Sequence, residues 1–250
     1  AMKVLVGPMN QDASAWQVNL PEPRTKKVEE MRIAIWLEED FAEVDNEISN
    51  LIEDTAKDLK HAGAKVETVK LPFNLEELDT VFGLLMNPLT LAGAPENTLK
   101  KLSEINDSLN ESDNSELAKK ARGSVLKHTD WVKVDAKRQR MRQQWREFFE
   151  NYDAVICPTT NVTPFKHNHA PVNERKLRVN GVDKEYLSIH QWTGPAIMAG
   201  LPSTNVPIGF SSDNLPIGMQ IIGPYLQDLT CIEIAKVLKT LRGGFSIPPG

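Results

Sequence analysis

Hydrophobic and polar positions change period several times along the chain, and each change marks an element. Residues 31–38 (MRIAIWLE) form a short apolar, β-rich run. From Asp45 to His61, with Val44 just ahead, Ile48, Leu51, Ile52 and Leu59 fall on one face at helical spacing, and Gly63 stands where such a helix would end. AKVETVKLP, 64–72, then alternates like a strand and stops at a proline. Strand, helix and strand in this order predict a crossover unit with a parallel pair in an α/β sheet.

From 73 to about 150 the pattern is helical, broken by one polar loop, NDSLNESDNSE at 106–116, expected to be the most mobile segment. The last helix of this stretch, near 129–151, carries Val134, Met141, Trp145, Phe148 and Phe149 as a core stripe. Its opposite face holds Lys133, Lys137, Arg138, Arg140, Arg142 and Arg146. A basic helix can bind phosphates, but glutamates and glutamines interleave here, and the plain expectation is a solvated face. DAVICP, 153–158, reads as a buried strand closed by proline. Asn180-Gly181 lies between two short runs in RKLRVNGVDKEY, a strong hairpin signal. A helix is expected near 186–199, strands at STNVP and PIGMQII, and a last helix from Asp228 to Leu241 ended by Gly243-Gly244. No repeat or interdomain linker interrupts the series, which predicts one α/β domain over 1–250, or one piece of one.

Composition narrows the class. With 40% hydrophobic and 25% charged residues the 250-residue chain is neither disordered nor membrane-like. No apolar run approaches the ~20 residues of a membrane helix, and no basic-apolar leader precedes a cleavage site. Ala1 before Met2 reads as an expression remnant, with Met2 as the encoded start. A net charge of −5 argues mildly against nucleic acid. Cys157 and Cys231 sit among aliphatic residues, as small buried thiols in a reducing cytosol do, and two are too few for a disulfide framework or metal clip.

Several motifs invite chemistry and fall short of it. No G-x-G-x-x-G and no P-loop occurs, so no nucleotide cofactor is expected. His167-x-His169 lacks a partner acid or cysteine at ligand spacing and reads as an exposed loop, with no metal. Tyr152-Asp153 reads as a strand edge and Asp228 as a helix cap. Ser124-x-x-Lys127 and Ser212-Asp213-Asn214 match two of the three elements of penicillin-binding enzymes. The third is absent, because Leu241 follows Lys239-Thr240, and the second sits in a turn where Asp and Asn have backbone reasons to be.

TGPAIMAGLPSTNVPIGFSSDNLPIGMQIIGPYLQD, Thr193 to Asp228, resembles the C-terminal signature of the amidase signature family. YDAVICPTT at 152–160, the crossover unit from Met31 to Pro72, and KVLVGPMNQDASAW at 3–16 extend the resemblance over nearly the whole chain. Ile197 stands where many members have asparagine, and Asn214 replaces a glycine, which left-handed backbone tolerates. The resemblance implies a mixed β-sheet flanked by helices, equivalent to the C-terminal part of that fold. Gly200 would end a helix with positive φ, prolines would bound a strand fully buried between helices, and Gly209 and Gly218 would permit turning or close approach.

The family resembled uses a serine nucleophile, a second serine in a cis peptide, a lysine base and a Gly/Ser-rich oxyanion loop. No such loop occurs here, and the one Ser-Ser pair, Ser211-Ser212, is flanked by Phe210 and Asp213. No catalytic residue is therefore assigned, and the chain is expected to be inactive alone. The parent chemistry would be hydrolysis of carboxamide or linear amide C–N bonds in the cytoplasm, without cofactor. His190, Gln191, Trp192 and Thr193 align with a segment that contributes to substrate binding in the family; Trp192 also reads as a core aromatic and His190 as a satisfied histidine. Expected partners are a separate N-terminal half carrying the serines and lysine, a small amide ligand and a second copy of the chain, which would hide the unpaired sheet edge and apolar face that a missing half leaves. No membrane is expected. The alternative is a non-catalytic module, derived from an amidase, that binds a small molecule or a protein.

Overall fold

A computed structural model of the chain describes residues 2–247; Ala1, read above as an expression remnant, lies outside them. After helix α1 (Met2–Leu5) and a 3-10 turn at Asn10–Ser14, the crossover unit forms as its periodicity predicts: β1 (Arg32–Ile35), α2 (Asn46–His61) and β2 (Lys65–Thr68). β1 and β2 pair in parallel. Ile48, Ile52, Thr55 and Leu59 are the buried stripe of α2, and Asp45 caps it by accepting from the Glu47 N–H at 3.1 Å.

The helical middle resolves into α3 (Leu75–Thr90), α4 (Glu96–Ser108), α5 (Glu116–Ser124) and α6 (His128–Asn151). The polar loop is shorter than its composition suggests, because α4 runs on to Ser108. Arg122 fastens it by donating to the carbonyls of Asn110, Glu111 and Asp113. On α6, Met141, Trp145 and Phe149 are buried, while Val134 and Phe148 are only half-buried against the core.

β3 (Ala154–Pro158) is buried at every position. A two-stranded ribbon follows, β4 (Lys176–Val179) and β5 (Val182–Glu185), turned by Asn180 at φ 49° and Gly181 at φ 82°, both left-handed as a tight hairpin requires. The helix expected at 186–199 is split into a 3-10 turn at Tyr186–His190 and α7 (Gly194–Ala199), with Pro195 in the first turn of α7. Gly200, at φ 67°, is its left-handed C-cap.

β6 (Ser203–Phe210), β7 (Pro216–Ile222) and α8 (Asp228–Arg242) complete the chain, with Gly243 as the left-handed cap of α8. The sheet order is β2-β1-β3-β7-β6, with β1, β2 and β3 parallel and β7 antiparallel to both β3 and β6. This is a mixed sheet flanked by helices. β6 corrects one expectation: it is the edge strand, alternately exposed and buried rather than fully buried, and Pro207 lies inside it. An edge tolerates proline because an outward N–H has no ladder partner to lose. The pairing slips between Pro207 and Gly209, where a Cβ would meet Leu51 Cδ2 at 3.0 Å. Asp228 is likewise the first helical residue rather than the cap, which is Gln227.

Candidate functional site

β1 and β3 run parallel, so their carboxyl ends open on the side where α/β sheets bind ligands. Trp36, directly after β1, is wholly buried and donates its backbone N–H to the Ile156 carbonyl at 2.9 Å. Its indole packs on Trp192 with ring centroids 4.6 Å apart and planes tilted by 51°, a contact of about 1 kcal/mol beyond its area. The Trp36 Nε1–H is donated to Glu39 Oε1 at 3.0 Å. Burial raises the Glu39 carboxyl above its ordinary range, and the indole hydrogen bond only partly offsets this.

Gln220 of β7 holds the site together. Its Nε2 donates to the carbonyls of Pro158 at 2.8 Å and Trp192 at 2.6 Å, and its Oε1 accepts from Ser203 Oγ at 3.0 Å. One buried carboxamide thus joins the end of β3, the turn before α7 and the edge strand. Sequence reasoning misses it, although a lone polar residue inside PIGMQII is a usable signal.

At the end of β3 a cavity of about 300 Å³ is lined by Thr159, Thr160, Thr163, Phe165, Asn205 and Gly218, among others. Thr159 Oγ1 donates to Asn205 Oδ1 at 2.7 Å. Thr160 Oγ1 is buried and has no partner among the described residues. Asn161 Oδ1, next in sequence, is in the same state, while its Nδ2 donates to Ser188 Oγ at 3.1 Å. Orphaned buried polar atoms cost about 1–3 kcal/mol each. No lining residue carries a charge, so the wall suits a neutral polar group, such as a carboxamide, better than an ion.

Of the four residues expected at the substrate, His190 is exposed, Gln191 and Thr193 are half-buried, and Trp192 is wholly buried behind Trp36. Thr193 Oγ1 donates to the His190 carbonyl at 3.0 Å. None of the four lines the cavity; the Trp192 carbonyl alone is tied to its wall, through Gln220, whose other carbonyl acceptor is Pro158, the residue before Thr159.

Ser124, Ser212, Lys119 and the two cysteines lie outside this cavity. Ser124 Oγ donates to the Ala121 carbonyl at 2.7 Å, and Ser212 sits in the β6–β7 turn with its N–H on Glu47 Oε1 at 2.8 Å. Asn214 takes φ 60° in that turn, in keeping with its backbone role. Lys119 is buried and hydrogen-bonded to Asp79 and, at 2.7 Å, to Glu116. Burial alone would lower its pKa, but the two carboxylates outweigh it and hold the ammonium above its ordinary value, the wrong direction for a base. Burial pushes both thiols up, Cys231 to about 12, so neither is a thiolate near neutrality. His167 and His169 lie in an exposed loop, and among the described residues no three His, Cys, Asp or Glu side chains gather to hold a metal.

The A subunit of glutamyl-tRNA(Gln) amidotransferase from Thermotoga maritima is 26% identical over 257 aligned residues, covering 95% of this chain and 51% of that protein. The solved structure of the same Thermotoga protein matches 96% of this chain and 49% of its own with a TM-score of 0.65 at 23% identity. A bacterial aryl acylamidase of the amidase signature family matches 84% of this chain and 44% of its own with a TM-score of 0.61 at 20% identity. The chain therefore spans about half the length of these relatives. The sequence model of the family described as Amidase matches residues 1–232, and the chain belongs to the amidase signature family.

Proposed function

We propose that the chain is a single α/β piece, equivalent to the C-terminal part of an amidase signature domain, and that it supplies the wall of a carboxamide-binding cavity. In this reading the nucleophile, base and oxyanion donors come from another polypeptide segment, and hydrolysis of an amide C–N bond needs both. Thr160, Thr159 and Asn205 face the neutral amide, and Gln220 fixes the wall. His190, Gln191 and Thr193, which do not line the cavity, are assigned to substrate contact beyond it, over the buried support of Trp192.

The reading rests on how the chain's reactive groups are committed. The buried lysine is locked between two carboxylates, and Ser124 and Ser212 serve a helix end and a turn. The uncharged cavity keeps a buried hydroxyl unsatisfied. Ammonia release from small aliphatic and aryl amides is the test. The purified chain should give none above background, and turnover should appear on adding a polypeptide that covers the other half of the relatives. Turnover by the chain alone that survives both Ser124→Ala and Ser212→Ala overturns the division of labour, as does turnover abolished by either.

A further inference from the structure

A second cavity, of about 480 Å³, lies on the far part of α6, where that helix meets the end of α7 and the turn before α8. Arg24, Arg142 and Arg146 line it with Gln139, Gln143 and Tyr225, and no lining residue is acidic. That is a local excess of positive charge in a chain whose net charge is −5. Phe149, Ala199, Leu201 and Pro224 supply an apolar wall.

The three guanidinium groups are not equivalent. Arg24 is structural: its Nη1 donates to the carbonyls of Phe149 at 2.7 Å and Tyr152 at 2.9 Å, and lies 3.5 Å from Asp153. It already satisfies the carbonyl end of α6, so Arg142 and Arg146 are not needed there, and helix-dipole stabilisation fades beyond the last turn. Among the described residues Arg142 donates only to Gln139 Oε1, at 3.3 Å, and its guanidinium sits 5.6 Å from the Tyr225 ring centroid. Arg146, one turn further on the same face, has no ion pair or side-chain hydrogen bond among the described residues. Two forks with free donors, one preset by an aromatic face, beside carboxamides and an apolar wall, are the elements that recognise an anionic head on an apolar body.

We propose that this cavity binds a small organic anion, a carboxylate or phosphate carried on an apolar or aromatic body, with Arg142 and Arg146 as its ligands. The site is separate from the carboxamide cavity and does not depend on the reading given for it. Calorimetric titration of the full chain with phenyl phosphate, benzoate and the neutral isostere benzamide tests it. Phenyl phosphate or benzoate should bind saturably and weaken with added salt, and which of the two binds tighter tells phosphate from carboxylate. Any benzamide binding should be unaffected by Arg142→Gln and Arg146→Gln. Arg142→Gln and Arg146→Gln should each weaken the anion about tenfold, with an unchanged circular dichroism spectrum. Arg140→Gln, which removes an equal charge from the same helix outside the cavity, should leave binding intact. No saturable anion binding, equal loss on Arg140→Gln, or benzamide binding that Arg142→Gln and Arg146→Gln weaken as much as they weaken the anion overturns the proposal.

Discussion

Asp153 reads as a strand edge in the sequence, yet it is 4% exposed and clasped by two arginines far away in sequence. The Arg32 N–H and Nη2 donate to its two oxygens at 2.9 and 3.0 Å, and Arg24 adds its charge at 3.5 Å. Nothing local in YDAV announces such partners, because pairing of this kind is set by how β1 and β3 lie together. The two cysteines are more legible, since aliphatic neighbours on a buried strand and a buried helix face leave a thiol no water. Their folded pKa values stand above the unfolded ones, near 9.0 for Cys231 against about 12 when buried. The unfolded chain therefore loses the proton first, and stability holds below pH 9 and falls between the two values by about 1.4 kcal/mol per thiol per pH unit. Urea unfolding at about pH 8 and about pH 10.5 should show the wild type losing about 2 kcal/mol more than Cys231→Ala over that interval. Equal losses would mean that Cys231 is not protected in the folded state.

Among the elements, the ribbon of β4 and β5 does more than turn the chain. Asn180 at its tip accepts from the Asn46 N–H at 2.9 Å and donates to Glu43 Oε1 and the Val44 carbonyl, both at 3.1 Å. It is thereby a second cap on α2, supplied from another element, while the Asn161 carbonyl accepts the Asp45 N–H at 2.9 Å. Asn180→Ala should cost about 2–3 kcal/mol, combining left-handed strain with a lost cap. Asn180→Gly keeps the turn and should cost only about 1 kcal/mol. Denaturant unfolding separates the two, and equal stability of both variants with the wild type would remove the capping role. The turn itself is readable, since Asn-Gly specifies a backbone shape locally, and so is the β1-α2-β2 unit, whose two periods need no distant information. The break in the helix expected at 186–199 is not, because it places the Trp192 carbonyl on Gln220. Position 207 misleads for a related reason: proline excludes a central strand but not an edge, and only the strand order distinguishes them. The cavity at the end of β3 is illegible in the same sense, for its threonines and Asn205 meet only through the sheet.

At the scale of the whole molecule, both edges of the sheet are blunted. On β6, Pro207 has no N–H to offer, and Arg242 donates from Nε at 3.1 Å and Nη2 at 2.8 Å to the Ile208 carbonyl. β2 turns Lys65 and Glu67 outward. Charges and proline on an edge oppose strand addition, so pairing through the sheet is a poor route to the association with a second copy that an unpaired edge suggests. Large apolar side chains are instead concentrated near the start of the chain, where Val4, Leu5, Met9 and Trp16 are each at least 72% exposed. Exposed apolar groups scattered singly need no partner, but four within one short segment form the kind of surface that is covered on contact. Self-association of the isolated chain should accordingly depend on this segment and not on β6. Light scattering should give a mass above the monomer for the wild type and for Asn205→Lys, which charges the edge strand. The double variant Leu5→Ser, Trp16→Ser should give the monomer. A monomeric wild type at high concentration removes the expectation altogether, and a monomeric Asn205→Lys returns the contact to the sheet edge.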